Sequence, residues 1–198
     1  MREDILKCGK HREGGGKSIM RKNNKGYSLV ELIVVIVIMA LLAGTAFLSI
    51  SIIFGASAKT CANDIKEALA ENKITAMGKS EAKVEIYRDA SDDCVYIIQW
   101  IKEGGGWKPK KADDAGNAAP EKIGNSRVYV AYVKKNETTE VELTAGNPLQ
   151  LCFDRSNGSF SDKSEDCILC EKIYVKGGSR SYVLTLTELT GKVELELE

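Results

Sequence analysis

Few residues in this chain have the types and spacing that chemistry needs. Cys167-Ile-Leu-Cys170 has the spacing of a thiol redox pair, but nothing before it reads as the βαβ unit and helix N-terminus that lower a thiolate pKa. With Cys94 and Cys152 it also makes a set of four that zinc or disulfides could use. Two disulfides among four cysteines allow three pairings, and disulfide or unbridged packing is preferred to zinc. Asp154-Arg-Ser156-Asn-Gly-Ser-Phe-Ser-Asp162 places oxygens at Asp154, Ser156 and Asp162 around a glycine, a weak calcium-loop pattern without the closing bidentate Glu. A turn held by Asp and Asn side chains is the preferred reading. The single histidine, His11, stands near the start, so the chain after it holds no Ser-His-Asp or Cys-His pair and no His ligand. Gly104-Gly-Gly106 is a flexible turn and not a phosphate cradle. The expectation is a protein that is not an enzyme and has no cofactor.

The most unusual titratable group is Glu31, at the head of Leu32–Phe54, 23 residues without charge or proline. As a helix these span about 35 Å, enough for a hydrocarbon core of about 30 Å. Net charge is zero, 28 basic against 28 acidic residues, but unevenly spread: residues 1–26 carry eight basic and three acidic groups, and the rest carries the opposite excess. A basic segment before the span predicts a cytoplasmic N-terminus and an extracytoplasmic head. The balanced total argues against nucleic acid as a partner. Three readings of the span follow: a secretory signal cut at Ala56-Ser-Ala58, for which the run is too long; a plain anchor, which leaves Glu31 unexplained; or a functional helix whose carboxylate needs a partner.

Lys25-Gly26-Tyr27-Ser28-Leu29-Val30-Glu31-Leu32 and the apolar run resemble the signal of type IV pilins and type II secretion pseudopilins. The resemblance implies cleavage between Gly26 and Tyr27 by a membrane prepilin peptidase, methylation of the new Tyr27 amine, and Glu31 as fifth residue of the mature chain. It implies that Glu31 pairs with the terminal amine of a neighbouring subunit. Implied partners are other pilin or pseudopilin subunits through the N-terminal helix, the peptidase, an assembly platform, an ATPase and the membrane. Tyr27 stands where the family usually has Phe. Leu151–Gly158, Tyr182–Leu186 and Gly191-Lys-Val193 further resemble the H-type minor pseudopilin, which implies a minor subunit of a type IV pilus or a type II secretion pseudopilus. The rivals are a tip subunit binding substrate, surface or DNA, and an anchored ectodomain that never assembles.

These groups must be positioned by three segments: a leader over 1–26, a helix over 27–78 and a head over 79–198. The helix is apolar over about 29–54 and amphipathic afterwards, with Ala58, Cys61, Ile65, Leu69 and Met77 at helical spacing and Gly78 as its stop. Cys61 on the apolar stripe reads as a small buried hydrophobe. Gly44 reads equally as a close-approach point or a tolerated glycine, and Leu48 stands where major pilins carry a kinking proline. The head reads as strands over 83–87, 95–102, 127–134, 140–143, 149–153, 168–176, 181–188 and 192–197, with 104–120 a mobile loop. The expected fold class is α+β, a long helix packed on an antiparallel β-sheet head.

Overall fold

The computed structural model describes residues 27–78, 80–164 and 166–198, with the side chains of 45–52 left out. The leader, with the Gly26 side of the expected cleavage, Cys8 and His11, lies outside the described residues, as does the Leu48 side chain. Contacts divide the chain into two units, Met1–Leu41 and Leu42–Glu198, and helix α1 (Leu29–Met77) contributes to both.

In the second unit α1 has the periodicity its sequence dictates. Ala58, Cys61, Ala62, Ile65, Ala68, Leu69 and Ala76 are buried at three- and four-residue steps, while Lys59, Lys66 and Glu67 are exposed. Three alanines and a cysteine among the first five keep this face thin, so β-structure approaches the helix backbone. At Gly177 an added Cβ would lie 2.6 Å from Phe54 O and 2.8 Å from Ala58 Cβ. Only glycine fits there without displacing helix or hairpin. The helix stops at Gly78, whose N–H reaches Ile74 O and Thr75 O.

The head holds two antiparallel sheets. The first contains β1 (Ala82–Arg88), β2 (Val95–Glu103), β3 (Gly106–Pro109), β4 (Glu121–Gly124), β7 (Leu149–Phe153) and β8 (Phe160–Ser161), in the order β3-β2-β1-β7-β8, with β4 sharing the β3 edge of β2. The second contains β5 (Tyr129–Lys134), β6 (Glu140–Glu142), β9 (Cys170–Gly177), β10 (Arg180–Thr187) and β11 (Lys192–Leu197), in the order β11-β10-β9-β5-β6. A 3₁₀ turn, Glu188–Thr190, precedes β11. Alternation puts Val84, Ile86, Ile97, Leu149 and Leu151 on the buried face of the first sheet, with Val84 opposite Leu151 and Ile86 opposite both Ile97 and Leu149. Tyr132, Ile173 and Leu184 make the matching row across β5, β9 and β10.

A buried cation ties the two sheets. Arg88, at the end of β1, is 9% exposed. Its Nη2 donates to Val128 O at 2.6 Å, Nη1 to Asp93 O at 2.6 Å and Nε to Leu143 O at 3.3 Å. Val128 leads into β5 and Leu143 follows β6, so one guanidinium satisfies carbonyls beside both sheets.

The α+β arrangement is as expected, a long helix with an antiparallel head, though the head has two sheets. The expected loop over 104–120 needs correction. Gly106–Pro109 pairs with Glu103–Trp100 as β3, and Ala112 and Ala118 form a bridge around a turn in which Asp113 accepts the Ala115 and Asn117 N–H groups. β4 and β8 were not foreseen, and β5 and β9 begin two residues later than expected.

Candidate assembly site and the head chemistry

The N-terminal site begins at Tyr27, 82% exposed, immediately before the helix. Ser28 is the N-cap: its carbonyl accepts the first helical bond from Leu32 N, and its Oγ accepts from Glu31 N at 3.1 Å. Ser28 and Glu31 thus have the S-x-x-E spacing of a capping box, and Glu31 adds a negative charge in the first turn, where the macrodipole favours it. From Leu29 to Leu41 every large apolar side chain is at least half exposed, with Val34, Val35 and Ile38 each at 50%. The helix that follows the acid is therefore apolar on all sides, the pattern of a segment buried by something outside its own fold.

Residues 21–47 match the family described as the prokaryotic N-terminal methylation motif. The chain carries a prepilin-type N-terminal signal. No curated protein and no solved structure matches it. The signal covers Gly26, Tyr27 and Glu31, the residues singled out for processing and assembly. It also covers Ser28, whose capping role sequence reasoning missed although the S-x-x-E spacing was there to find. Among the described residues no helix is long and apolar enough to cross a membrane. The sequence span Leu32–Phe54 includes residues 45–52, whose side chains are outside that set.

In the head that follows this signal the cysteines separate. Cys152 and Cys167 form a disulfide, with Cα atoms 5.7 Å apart, that pins the passage from β8 to β9 against the outer side of β7. There Ile168 N also bonds Gln150 O at 3.0 Å. Cys61, Cys94 and Cys170 are free and buried, so the four head cysteines do not converge on one metal. Burial pushes the thiols of Cys61 and Cys170 up to about 12, the opposite of the activation a redox pair needs. Cys170 Sγ is turned toward Lys172 O at 3.1 Å. Cys94 sits in a polar turn in which Asp92 accepts its N–H at 3.0 Å, the Tyr96 hydroxyl at 2.9 Å and Lys122 Nζ at 3.2 Å. The Cys94 N–H, helped by the other donors, holds the Asp92 carboxyl down at about 2.

Around Asp154, Ser156 and Asp162, the weak calcium-loop pattern, the geometry is that of a turn. Lys163 pairs with one oxygen of Asp154, and the Ser156 N–H and hydroxyl take the other at 2.8 and 2.5 Å. Lys163 first, then Ser156, keep the Asp154 carboxyl well below the usual carboxylate range. Asp154 thus caps a turn, and Asp162 lies exposed beyond it. Among the described residues no group of three His, Cys, Asp or Glu side chains is placed to hold a metal.

Proposed function

We propose that this chain is made as a membrane precursor and cut between Gly26 and Tyr27 by a prepilin peptidase. It is then methylated on the Tyr27 amine and assembled through α1, as a minor subunit, into a type IV pilus or a type II secretion pseudopilus. The observation that carries this reading is the N-terminal methylation motif, set on a helix whose apolar side chains from Leu29 onward remain exposed. Before assembly that helix spans the inner membrane, with the basic leader in the cytoplasm and the head outside. Afterwards the helices of neighbouring copies take the place of lipid. Burial of roughly 25 cal/mol per Å² of apolar surface is available in either setting, so the exchange is near neutral and polar contacts decide register. Glu31 supplies that contact, its carboxylate pairing with the terminal amine of a neighbouring copy. The peptidase, platform and ATPase are separate partners.

Peptide sequencing of the mature protein from membranes tests this. The expected first residue is Tyr27 carrying one methyl group, and Gly26→Val is expected to accumulate precursor. A mature chain beginning at Lys59, or normal processing of Gly26→Val, overturns it. Counting copies in sheared filaments separates a minor from a major subunit.

A further inference from the structure

Both tryptophans of the chain stand on the outer face of the first sheet, on neighbouring strands of one hairpin. They are held differently. Trp100 lies opposite Lys83 of β1, and its Nε1 donates to Glu85 Oε2 at 2.9 Å. Lys83 is 7% exposed, and its ammonium bonds Gln150 Oε1 at 3.0 Å and lies 5.7 and 5.1 Å from the centroids of the Trp100 and Trp107 rings. Trp100 and Lys83 are therefore held in place by their own contacts. Trp107 is half-buried, and its Nε1 has no hydrogen-bond partner among the described residues.

Beside Trp107 opens a cleft of about 660 Å³, within the range of small-ligand sites. One wall is Trp107 and Lys102; the facing wall is Ser161, Lys163 and Ser164, on the segment that the Cys152–Cys167 disulfide pins to β7. Its charges are already matched. Lys102 pairs with Glu81 at 2.7 Å and Lys163 with Asp154, which leaves the exposed Arg155 as the one lining cation without an ion pair among the described residues. A phosphate-rich ligand needs several uncompensated cations, and this cleft offers one. An apolar ligand needs an apolar lining, but Phe153, the other large apolar side chain there, is 2% exposed. The β1 and β7 backbones beneath the cleft are paired on both sides, and the edge strands β3 and β8 are only four and two residues long, too short to template an added peptide strand. What remains is an indole with an open N–H, a guanidinium without an ion pair, serine hydroxyls and two solvent-exposed ion pairs.

We propose that this cleft binds carbohydrate, a short neutral or weakly acidic oligosaccharide whose C–H face stacks on Trp107. Its hydroxyls bond Trp107 Nε1, Arg155 and the serines on the pinned wall. The proposal concerns the head alone and is independent of the assembly reading. It gives the subunit a means of holding a glycan surface.

Intrinsic tryptophan emission of the full chain, in a sugar-free detergent, reads this directly, because both fluorophores lie on the same face. The probes are chitotetraose, maltotetraose and tetragalacturonate. At least one is expected to give a saturable emission shift at millimolar concentration or below. Trp107→Ala is expected to weaken that ligand about tenfold or more by calorimetry, and Arg155→Ala several-fold, with unchanged far-ultraviolet circular dichroism. Should Trp107→Ala fail to fold, Arg155→Ala, an exposed position, decides alone. Absence of a saturable shift with all three saccharides overturns the proposal. So does wild-type affinity in the folded variants.

Discussion

Replacement of Glu31 by Gln separates two roles that the N-terminal geometry superimposes. The Ser28 cap is made by the Glu31 backbone N–H, 3.1 Å from Ser28 Oγ, so the side-chain change leaves it intact. Gln is also accepted at the third position of a capping box. The isolated subunit therefore loses only the charge–dipole contribution, about 0.3–1 kcal/mol, and helix content and membrane insertion should match wild type. Assembly is different. If the carboxylate neutralises a neighbour's terminal amine inside an apolar bundle, deletion of its charge leaves that amine unpaired at a cost of about 3–5 kcal/mol. That corresponds to a loss of incorporation of roughly a hundredfold to a few thousandfold. Membrane fractionation, circular dichroism in detergent and quantification of the subunit in sheared filaments measure the three quantities. Ser28→Ala is the reciprocal variant: it weakens the first helical turn by about 0.5–2 kcal/mol while keeping the charge, and should assemble. Normal incorporation of Glu31→Gln together with failure of Ser28→Ala would refute the reasoning and reduce Glu31 to a helix cap.

Three further outcomes follow from the head. Loss of the Cys152–Cys167 bridge in a Cys152→Ser/Cys167→Ser double variant frees a loop with a separation of 15 residues, worth about 3 kcal/mol on the chain-entropy account. Calorimetry should show Tm lower by about 6–12 °C, and an unchanged Tm would mean the passage from β8 to β9 is held by its other contacts. Arg88→Met leaves carbonyls of both sheets without their donor and should cost about 3 kcal/mol or more in denaturant unfolding; a loss below about 1 kcal/mol would show water replacing the guanidinium. Burial first, then Glu121 and Glu67, raise the Asp64 carboxyl, so its ionised form opposes folding at neutral pH and protonation relieves it. Asp64→Asn should raise Tm at pH 7, with the gain shrinking as pH falls toward the ordinary carboxylate range. A gain that is constant with pH would show that charge is not its source.

What could be read in advance followed local periodicity. The 3.6-residue pattern of Ala58–Leu69 and the alternation of 149–153 and 181–188 each contain enough repeats to identify themselves. Gly106-Trp-Lys-Pro109 and Glu121-Lys-Ile-Gly124 do not, because four residues rich in glycine, lysine and proline show no alternation. They are strands only because β2 offers them an edge. Ser28 was legible as a cap from its S-x-x-E spacing to Glu31. The Trp107 cleft was not legible: its walls come from residues near 81, 107, 155 and 163, which only the order β3-β2-β1-β7-β8 brings together. The choice of Cys167 over Cys170 as the partner of Cys152 depends likewise on a distance that spacing cannot supply.

The three free cysteines among the described residues put a constraint on biogenesis. Cys170 follows the bonded Cys167 by three residues, and Cys61 lies on a helix face that is covered only once the sheets have closed on it. In a compartment that oxidises thiols, each would compete for Cys152 in a half-formed chain. Native pairing therefore follows either from β9 and the helix seat forming before the oxidant arrives or from later exchange of mispaired sulfur, and a slow-folding variant would depend most on that exchange.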